Sequence, residues 1–453
     1  MADWLANLEH GFLSAGARLS VVVAMGVSLM TAAQTASPRF FDLVDNGPAP
    51  ADVEKQAPWR TIALDPEYGG LWVVAGDVDG DGEVEIVSAE NHNQGDVHYT
   101  STAVAQKLDG TVLWRWGDPA IGRKAWHHDV ACQIHDWDGD GHNEVIVCAE
   151  KAIVVLDGKT GKELQRIPIQ KGATDCLVFC DLRGTGHKAD VLVKDRYQQI
   201  WAYSNKGDLL WTSKKPGGSA TAHQPRPMDI DGDGKDEIMA GYAMLNADGS
   251  VRWTASAPGG HLDCARLVRM GAKPDDLAIA ITCCSGNAVA LLNRAGKNIW
   301  QIKGQHYESL DVGRVFPSIP GPQFVVDIDH QPKGKSPIVV LDSKGALLAR
   351  ITTGYSRHHC LIDWDGDGAD EILVGGNQAI YHHSGKRLAT LAAPEAAGGK
   401  RFEASILPAD MTGNGIPDAL LCSPSHVHIF RNPSARKLTP PHPLGTVPNM
   451  TLY

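Results

Sequence analysis

The chain has 453 residues, is 43% hydrophobic and 21% charged, and carries 48 glycines and a formal charge of −11. This balance excludes a disordered chain and argues against a nucleic-acid partner, while the glycine content points to many turns and an all-β fold. Length alone suggests two or three domains, a prior that repeat architectures break.

At the N-terminus, Arg18 precedes the apolar run LSVVVAMGVSLM and the small-residue stretch TAAQTAS. The run is too short to span a bilayer comfortably, so residues 1–36 are expected to be a signal peptide. The mature protein then has no membrane span and is secreted or periplasmic. A linker over 37–57, one domain over 58–431 and a proline-rich tail over 432–453 complete the expected organisation. The cysteines Cys132, Cys148, Cys176, Cys180, Cys264, Cys283, Cys284, Cys360 and Cys422 are odd in number and lack small-domain spacing. Most sit in strand-like apolar runs and read as small core residues rather than a disulfide framework.

Four segments follow D-x-D-G-D-G-x-x-E: Asp77 to Glu85, Asp136 to Glu144, Asp229 to Glu237 and Asp363 to Glu371. Worn copies begin at Asp181 and Asp410. Start-to-start spacings are 59, 45, 48, 134 and 47, and the long gap is about three repeats, so two repeats hide inside it. Each repeat reads strand, acidic loop, strand, strand, glycine turn, strand. The eighth lacks its last strand, and PWRTIALD from Pro58 supplies one from the other end of the chain. Four-stranded units closed in a ring by the opposite terminus predict a β-propeller of eight blades, or seven if one hidden repeat is not a blade.

In each loop, positions one, three, five and nine carry carboxylates, and glycines at four and six let the chain wrap tightly. The ligand sets are Asp77, Asp79, Asp81, Glu85; Asp136, Asp138, Asp140, Glu144; Asp229, Asp231, Asp233, Glu237; and Asp363, Asp365, Asp367, Glu371. Hard oxygen donors at this spacing select calcium, in a structural role. Arg183 stands at position three of the worn third loop, where a guanidinium replaces the cation.

All these loops join first to second strands and share one face, so the segments entering each first strand share the other. Those segments are rich in histidine: His127, His128 and Asp129; Asp175; His223 and Arg226; His261, Asp263 and Cys264; His306, Tyr307 and Glu308; Arg357, His358 and His359. Second-to-third loops on the same face add His92, His98, Tyr99, Lys194, Arg196 and Tyr197. Convergent titratable groups at one end of a funnel are what a binding site requires.

WVVAGDVDGDGEVEIVSAEN, QKLDGTVLWRWGDPAIGR, HHDVACQIHDWDGDGHNEV and VVLDGKTGKEL, in this order, resemble the propeller of the rhamnogalacturonan lyases of polysaccharide lyase family 11. The repeat is also similar to the FG-GAP repeat of integrin α-chains. The first resemblance covers residues 70–165 well and implies eight blades, bound calcium and elimination on a uronic-acid polysaccharide. It departs at HHD, where the lyases are expected to carry a histidine followed by tyrosine, and the stretch between the expected cleavage site and blade one is expected to be too short for the lyases' N-terminal β-sandwich.

Elimination across a uronate needs a cation against the carboxylate, a base for the C5 proton and an acid for the leaving oxygen. Arg196, Arg226 and Arg357 are candidates for the first, His128 and His223 for the second, Tyr197 and Tyr307 for the third. Lys194 joins them through the segment KDRYQQIWAY. His92, His98, Tyr99, His127, His261, His306, Tyr307, Arg357 and His358 are the expected substrate contacts of a monomeric enzyme acting on an acidic polysaccharide. Two other readings use the same residues. His223, His261, Cys264, His306 and a cysteine of TCC could hold zinc. A non-catalytic glycan- or protein-binding propeller is the alternative to the lyase, with a quinone-dependent dehydrogenase last.

Overall fold

A computed structural model of the protein describes residues 54–94, 97–121, 130–256, 260–273, 275–329, 336–353, 359–393, 404–438 and 440–452. Eight sheets follow one another in chain order. Blade 1 comprises Trp72–Gly76, Glu85–Gln94, Val97–Lys107 and Val112–Gly117. The inner strands of blades 2 to 8 are Cys132–His135, Val178–Cys180, Thr221–Met228, Leu262–Arg269, His306–Gly313, His359–Ile362 and Ser405–Ala409. Inner strands of successive blades pack on one another around an axis. The two repeats hidden in the long gap are blades 5 and 6, so the count is eight.

Middle strands are buried on both faces, which is why they read as continuous apolar runs. Ile86, Val147, Leu192, Ile279 and Val326 are fully covered. Between blades, a tryptophan of one outer strand sits on the glycine turn of the next blade. The pairs are Trp114 on Gly161, Trp211 on Gly249, Trp253 on Gly296 and Trp300 on Gly345. A Cβ at these glycines would lie 2.4–2.9 Å from the indole, and their φ values of +67° to +82° also favour glycine.

The ring closes with a strand from the N-terminal side. Arg60–Ala63 pair antiparallel with His426–Phe430 as the outer strand of blade 8. Glu54–Gln56, inside the expected linker, add a fifth strand parallel to Arg387–Leu391 of blade 7.

The expected tail also joins the fold. Gly445 exchanges backbone hydrogen bonds with Asp410, and Thr446 N–H donates to the Ala75 carbonyl at 2.9 Å. The Asn449 amide accepts from Phe179 N–H at 2.7 Å and donates to its carbonyl at 2.8 Å. Met450 carbonyl accepts from Gln133 at 2.9 Å. The C-terminal segment thus descends the axis against the inner strands of blades 8, 1, 2 and 3.

The acidic loops sit at the ends of the inner strands. The first aspartate accepts from the backbone N–H groups of both glycines, as Asp77 does from Gly80 at 2.7 Å and Gly82 at 2.9 Å. The ninth-position glutamate accepts the second residue's N–H, Glu144 from Trp137 and Glu371 from Trp364, both at 2.8 Å. In the worn third loop Arg183 Nε pairs with Asp190 at 2.8 Å, a guanidinium in the acidic loop as its position predicted.

Candidate active site

The far end of the inner strands gathers residues from five blades. Asp175 enters the inner strand of blade 3 and is almost fully buried. Its carboxylate meets Lys194 Nζ at 2.5 Å, Arg196 at 3.2 Å and His98 Nδ1 of blade 1 at 2.9 Å. Lys194 also donates to the Arg196 carbonyl at 2.8 Å. These contacts fix the turn carrying Arg196 and Tyr197. The Arg196 guanidinium lies 5.0 Å from the centre of the Tyr197 ring, a cation–π contact that holds the cation forward.

Tyr197 bridges to the next blades. Its ring stacks on His261 at 4.5 Å and meets His223 edge-on at 5.5 Å. Both histidines point Nε2 at one oxygen of Asp263, at 3.4 Å for His223 and 3.1 Å for His261. His306 completes the arc, with Nε2 3.0 Å from Glu308 and 3.6 Å from the Cys284 sulfur.

Burial sets the protonation states. It drives the His223 imidazole well below its usual pKa and His261 down to about 4, so both are neutral near pH 7. It pushes the Tyr197 phenol up to about 12, so the hydroxyl keeps its proton. Glu308 acts oppositely on His306, whose pKa is raised despite burial.

Two overlapping sets can hold a cation: His223, His261 and Asp263, and Asp263, Cys284 and His306, with donor atoms within 4.8 Å of one another in each. The nitrogen, carboxylate and thiol donors suit a transition metal, and Asp263 is common to both sets. At the other end, Asp77, Asp79 and Glu85, Asp136, Asp138 and Glu144, and Asp229, Asp231 and Glu237 form carboxylate triads of the same tightness. Burial and the neighbouring aspartates push Glu144 and Glu371 up to about 7, the signature of carboxylates crowded around a position for positive charge.

The structure sorts the sequence-derived candidates. It brings together His98, Lys194, Arg196, Tyr197, His223, His261 and His306. Lys194 has no exposed surface, so it positions Asp175 and Arg196 and does not touch substrate. Tyr307, expected at the site, is instead fully buried among Cys264, Leu310, Phe324 and Val326. Arg226 lies farther down the axis, donating to the Asn449 carbonyl at 3.3 Å. His92 packs 4.9 Å from Tyr99, which lines a groove between blades 1 and 2 with Trp116. His127, His128, Arg357 and His358 lie outside the described residues. The thiol facing the histidines is Cys284, because Cys264 turns into the blade toward the Leu310 carbonyl, 3.6 Å away. Asp175 and Asp263, both in the entry segments, hold the site together through His98, Lys194, Arg196, His223 and His261.

No protein-family model matches the chain. Rhamnogalacturonan endolyase YesW of Bacillus subtilis is 26% identical over 398 residues, covering 70% of this chain and 61% of that protein. The chain is thus similar in sequence to a rhamnogalacturonan lyase. A second relative, the exolyase YesX of the same organism, is 25% identical over 370 residues, 66% of this chain and 58% of its own. The chain therefore spans about three fifths of these relatives' length. Among solved structures, YesW superposes with a TM-score of 0.64 at 23% identity over 85% of the chain and 77% of its own. The Bacillus licheniformis rhamnogalacturonan lyase PL11 gives 0.63 at 20% identity, over 85% of this chain and 76% of that one. The Vibrio cholerae biofilm matrix protein Bap1 gives 0.58 at 14%, over 84% and 91%. At these identities the structural likeness speaks for the fold. The chain is an eight-bladed propeller.

Proposed function

We propose that the protein is an exported, monomeric lyase that cleaves a uronic-acid-containing, rhamnogalacturonan-like polysaccharide by β-elimination at the histidine end. The observation that carries this reading is the Arg196–Tyr197 turn, anchored by Asp175 and set against two neutral histidines. Among the described residues, no helix is long and apolar enough to cross a membrane.

Arg196 faces the uronate carboxylate and stabilises the charge that builds as the C5 proton leaves. His223, deprived of its proton by burial, takes that proton. The electron pair forms the C4–C5 double bond, the C4–O bond breaks, and the Tyr197 hydroxyl protonates the departing oxygen. His261 stacks on Tyr197 and fixes its ring, while Asp263 orients both imidazoles.

Calcium fits the four acidic loops, with the aspartates at positions one, three and five and the glutamate at nine as ligands. Asp263, Cys284 and His306 would hold a further ion, a donor set that favours zinc and leaves His223 as the base. Such an ion supplies positive charge against the substrate carboxylate.

Ultraviolet absorbance of the unsaturated product, followed on rhamnogalacturonan and a panel of other uronate polymers, tests the proposal. Absorbance should grow with the native protein and vanish in folded Arg196→Ala and His223→Ala variants. A flat trace on every polymer, from folded calcium-loaded protein that still binds one of them, assigns a glycan-binding propeller instead.

A further inference from the structure

At the loop end, blades 1, 2, 4 and 7 carry intact acidic loops, while the corresponding turns of blades 5 and 6 lack the D-x-D-G-D-G pattern. The inner strand of blade 5 ends at Arg269, paired with Leu277, and that of blade 6 ends at Gly313, paired with Gln323, with Arg314 next in the chain. Between the two turns lies an open cavity of about 770 Å³, lined by Arg269 and Arg314 and by an apolar wall of Met270, Ile319, Pro320 and Pro322. Among the described residues, no aspartate or glutamate lines it. The guanidinium groups donate to backbone carbonyls, Arg269 to Lys273 at 3.2 Å, and Arg314 to Pro317 at 3.3 Å and Gly368 at 3.5 Å. The neighbouring carboxylates are engaged elsewhere. Asp275 pairs with Arg294. Asp276, beside Gly271, accepts from Lys273 N–H at 3.1 Å, and Asp370, beside Gly313, accepts from Arg314 N–H at 2.5 Å. The wall is stiff as well. Buried Gln323 accepts from Phe316 N–H at 2.6 Å and donates to the Phe316 and Ile319 carbonyls at 3.0 and 3.1 Å, and Pro317, Pro320 and Pro322 restrict the rest of the turn.

We infer that this cavity between blades 5 and 6 is a second, non-catalytic polysaccharide site, holding a short uronate-bearing segment with its carboxylate charge against Arg269 and Arg314. Guanidinium matches a carboxylate bidentately, and here two of them face a cavity without an opposing carboxylate. The apolar wall receives the C–H faces of the sugar rings, which a small inorganic anion would leave uncovered. The volume is within the range of roughly 300–1,000 Å³ typical of ligand pockets. With a formal charge of −11, the chain as a whole repels a polyanion, so a polymer engages where the cations are presented. A polymer held at this end raises its own effective concentration at the histidine end. Naming a uronate chain as the anion rests on the lyase reading; the anion site itself does not.

The test is titration calorimetry with tetragalacturonate and a neutral galactose tetrasaccharide, run beside the product-absorbance assay. The protein is the full calcium-loaded chain, freed of excess calcium and carrying Arg196→Gln to stop turnover. Tetragalacturonate should bind at least tenfold more tightly than the neutral oligosaccharide. Adding Arg269→Gln or Arg314→Gln should each weaken it about tenfold, and Arg314→Lys, which keeps the charge, should weaken it less than Arg314→Gln. In the otherwise native chain, Arg269→Gln should raise KM for the long polymer several-fold and leave kcat unchanged. Failure of tetragalacturonate to bind, equal binding of the neutral oligosaccharide, or binding indifferent to both glutamine variants would overturn the inference. Binding in the expected pattern by a chain that releases no unsaturated product from any polymer would keep this site and discard the elimination reading. Unsaturated product from a chain whose binding ignores both arginines would do the reverse.

Discussion

The two ends of the propeller solve the same problem, crowded carboxylates, in opposite ways. At the loop end the first aspartate and the ninth-position glutamate are satisfied by backbone N–H groups within eight residues, so each loop is a unit of its own. At the histidine end Asp175 is met by His98 and Lys194 from different blades, and Asp263 by His223 of the preceding blade. Damage should therefore stay local at one end and spread at the other.

The loops themselves differ in a way that sharpens this contrast. Lys107 reaches Asp79 at 2.9 Å and Asp81 at 2.7 Å in blade 1, and Arg252 reaches Asp231 at 2.7 Å in blade 4. Among the described residues, no lysine or arginine pairs with the loop of blade 2. A resident cation competes with a bound ion, so the blade 2 loop should bind calcium most tightly.

The largest expected effect would come from Asp175→Asn. It leaves the Lys194 ammonium buried beside a neutral amide and should cost about 3–5 kcal/mol of stability, read by denaturant unfolding. A cost below about 1 kcal/mol would mean that the far end is as modular as the loops. Next, Asp263→Asn should lower kcat on the preferred polymer by about a hundredfold, with a smaller change in KM, because it releases two imidazoles at once. Equal loss from a loop variant such as Asp138→Asn would erase the distinction between the ends.

Protonation gives a third expectation, for metal-free protein. His223 and His261 have folded pKa values below the unfolded value of 6.5, His261 near 4. The unfolded chain then binds protons that the folded one refuses. Their contribution is complete above pH 6.5 and is lost as pH falls toward 4, so Tm should decline across that window. A His261→Asn variant should decline less. The smallest effect is at blade 1, where Lys107→Ala should tighten calcium binding about three- to tenfold and leave blade 2 unchanged, as site-resolved titration would report.

Much of this was legible in the sequence because the repeat unit is local. A D-x-D-G-D-G loop needs only its own residues, and the spacing between copies revealed two blades that lack acidic ligands. The closing strand was legible because one blade ran out of chain. The histidine end was harder, since strand parity decides which neighbour faces the site. That parity breaks at bulges, between Leu262 and Ala265 in blade 5 and between Tyr307 and Leu310 in blade 6. There Asp263 rather than Cys264 turned inward, and Tyr307 went into the core. Lys194 reads as a site residue beside Arg196 and Tyr197, and only the fold shows the buried carboxylate that holds it. The C-terminal segment has no periodicity to betray its place on the axis.

Pairing Arg60–Ala63 with His426–Phe430 joins strands separated by nearly the whole chain. This early strand must wait for the last, so the ring cannot be completed while the chain is still being synthesised. Such long-range closure is slow, and it is equally slow to undo. Once sealed, the same strand pair holds the ring closed, giving it a lifetime set by the rate of opening rather than by equilibrium stability.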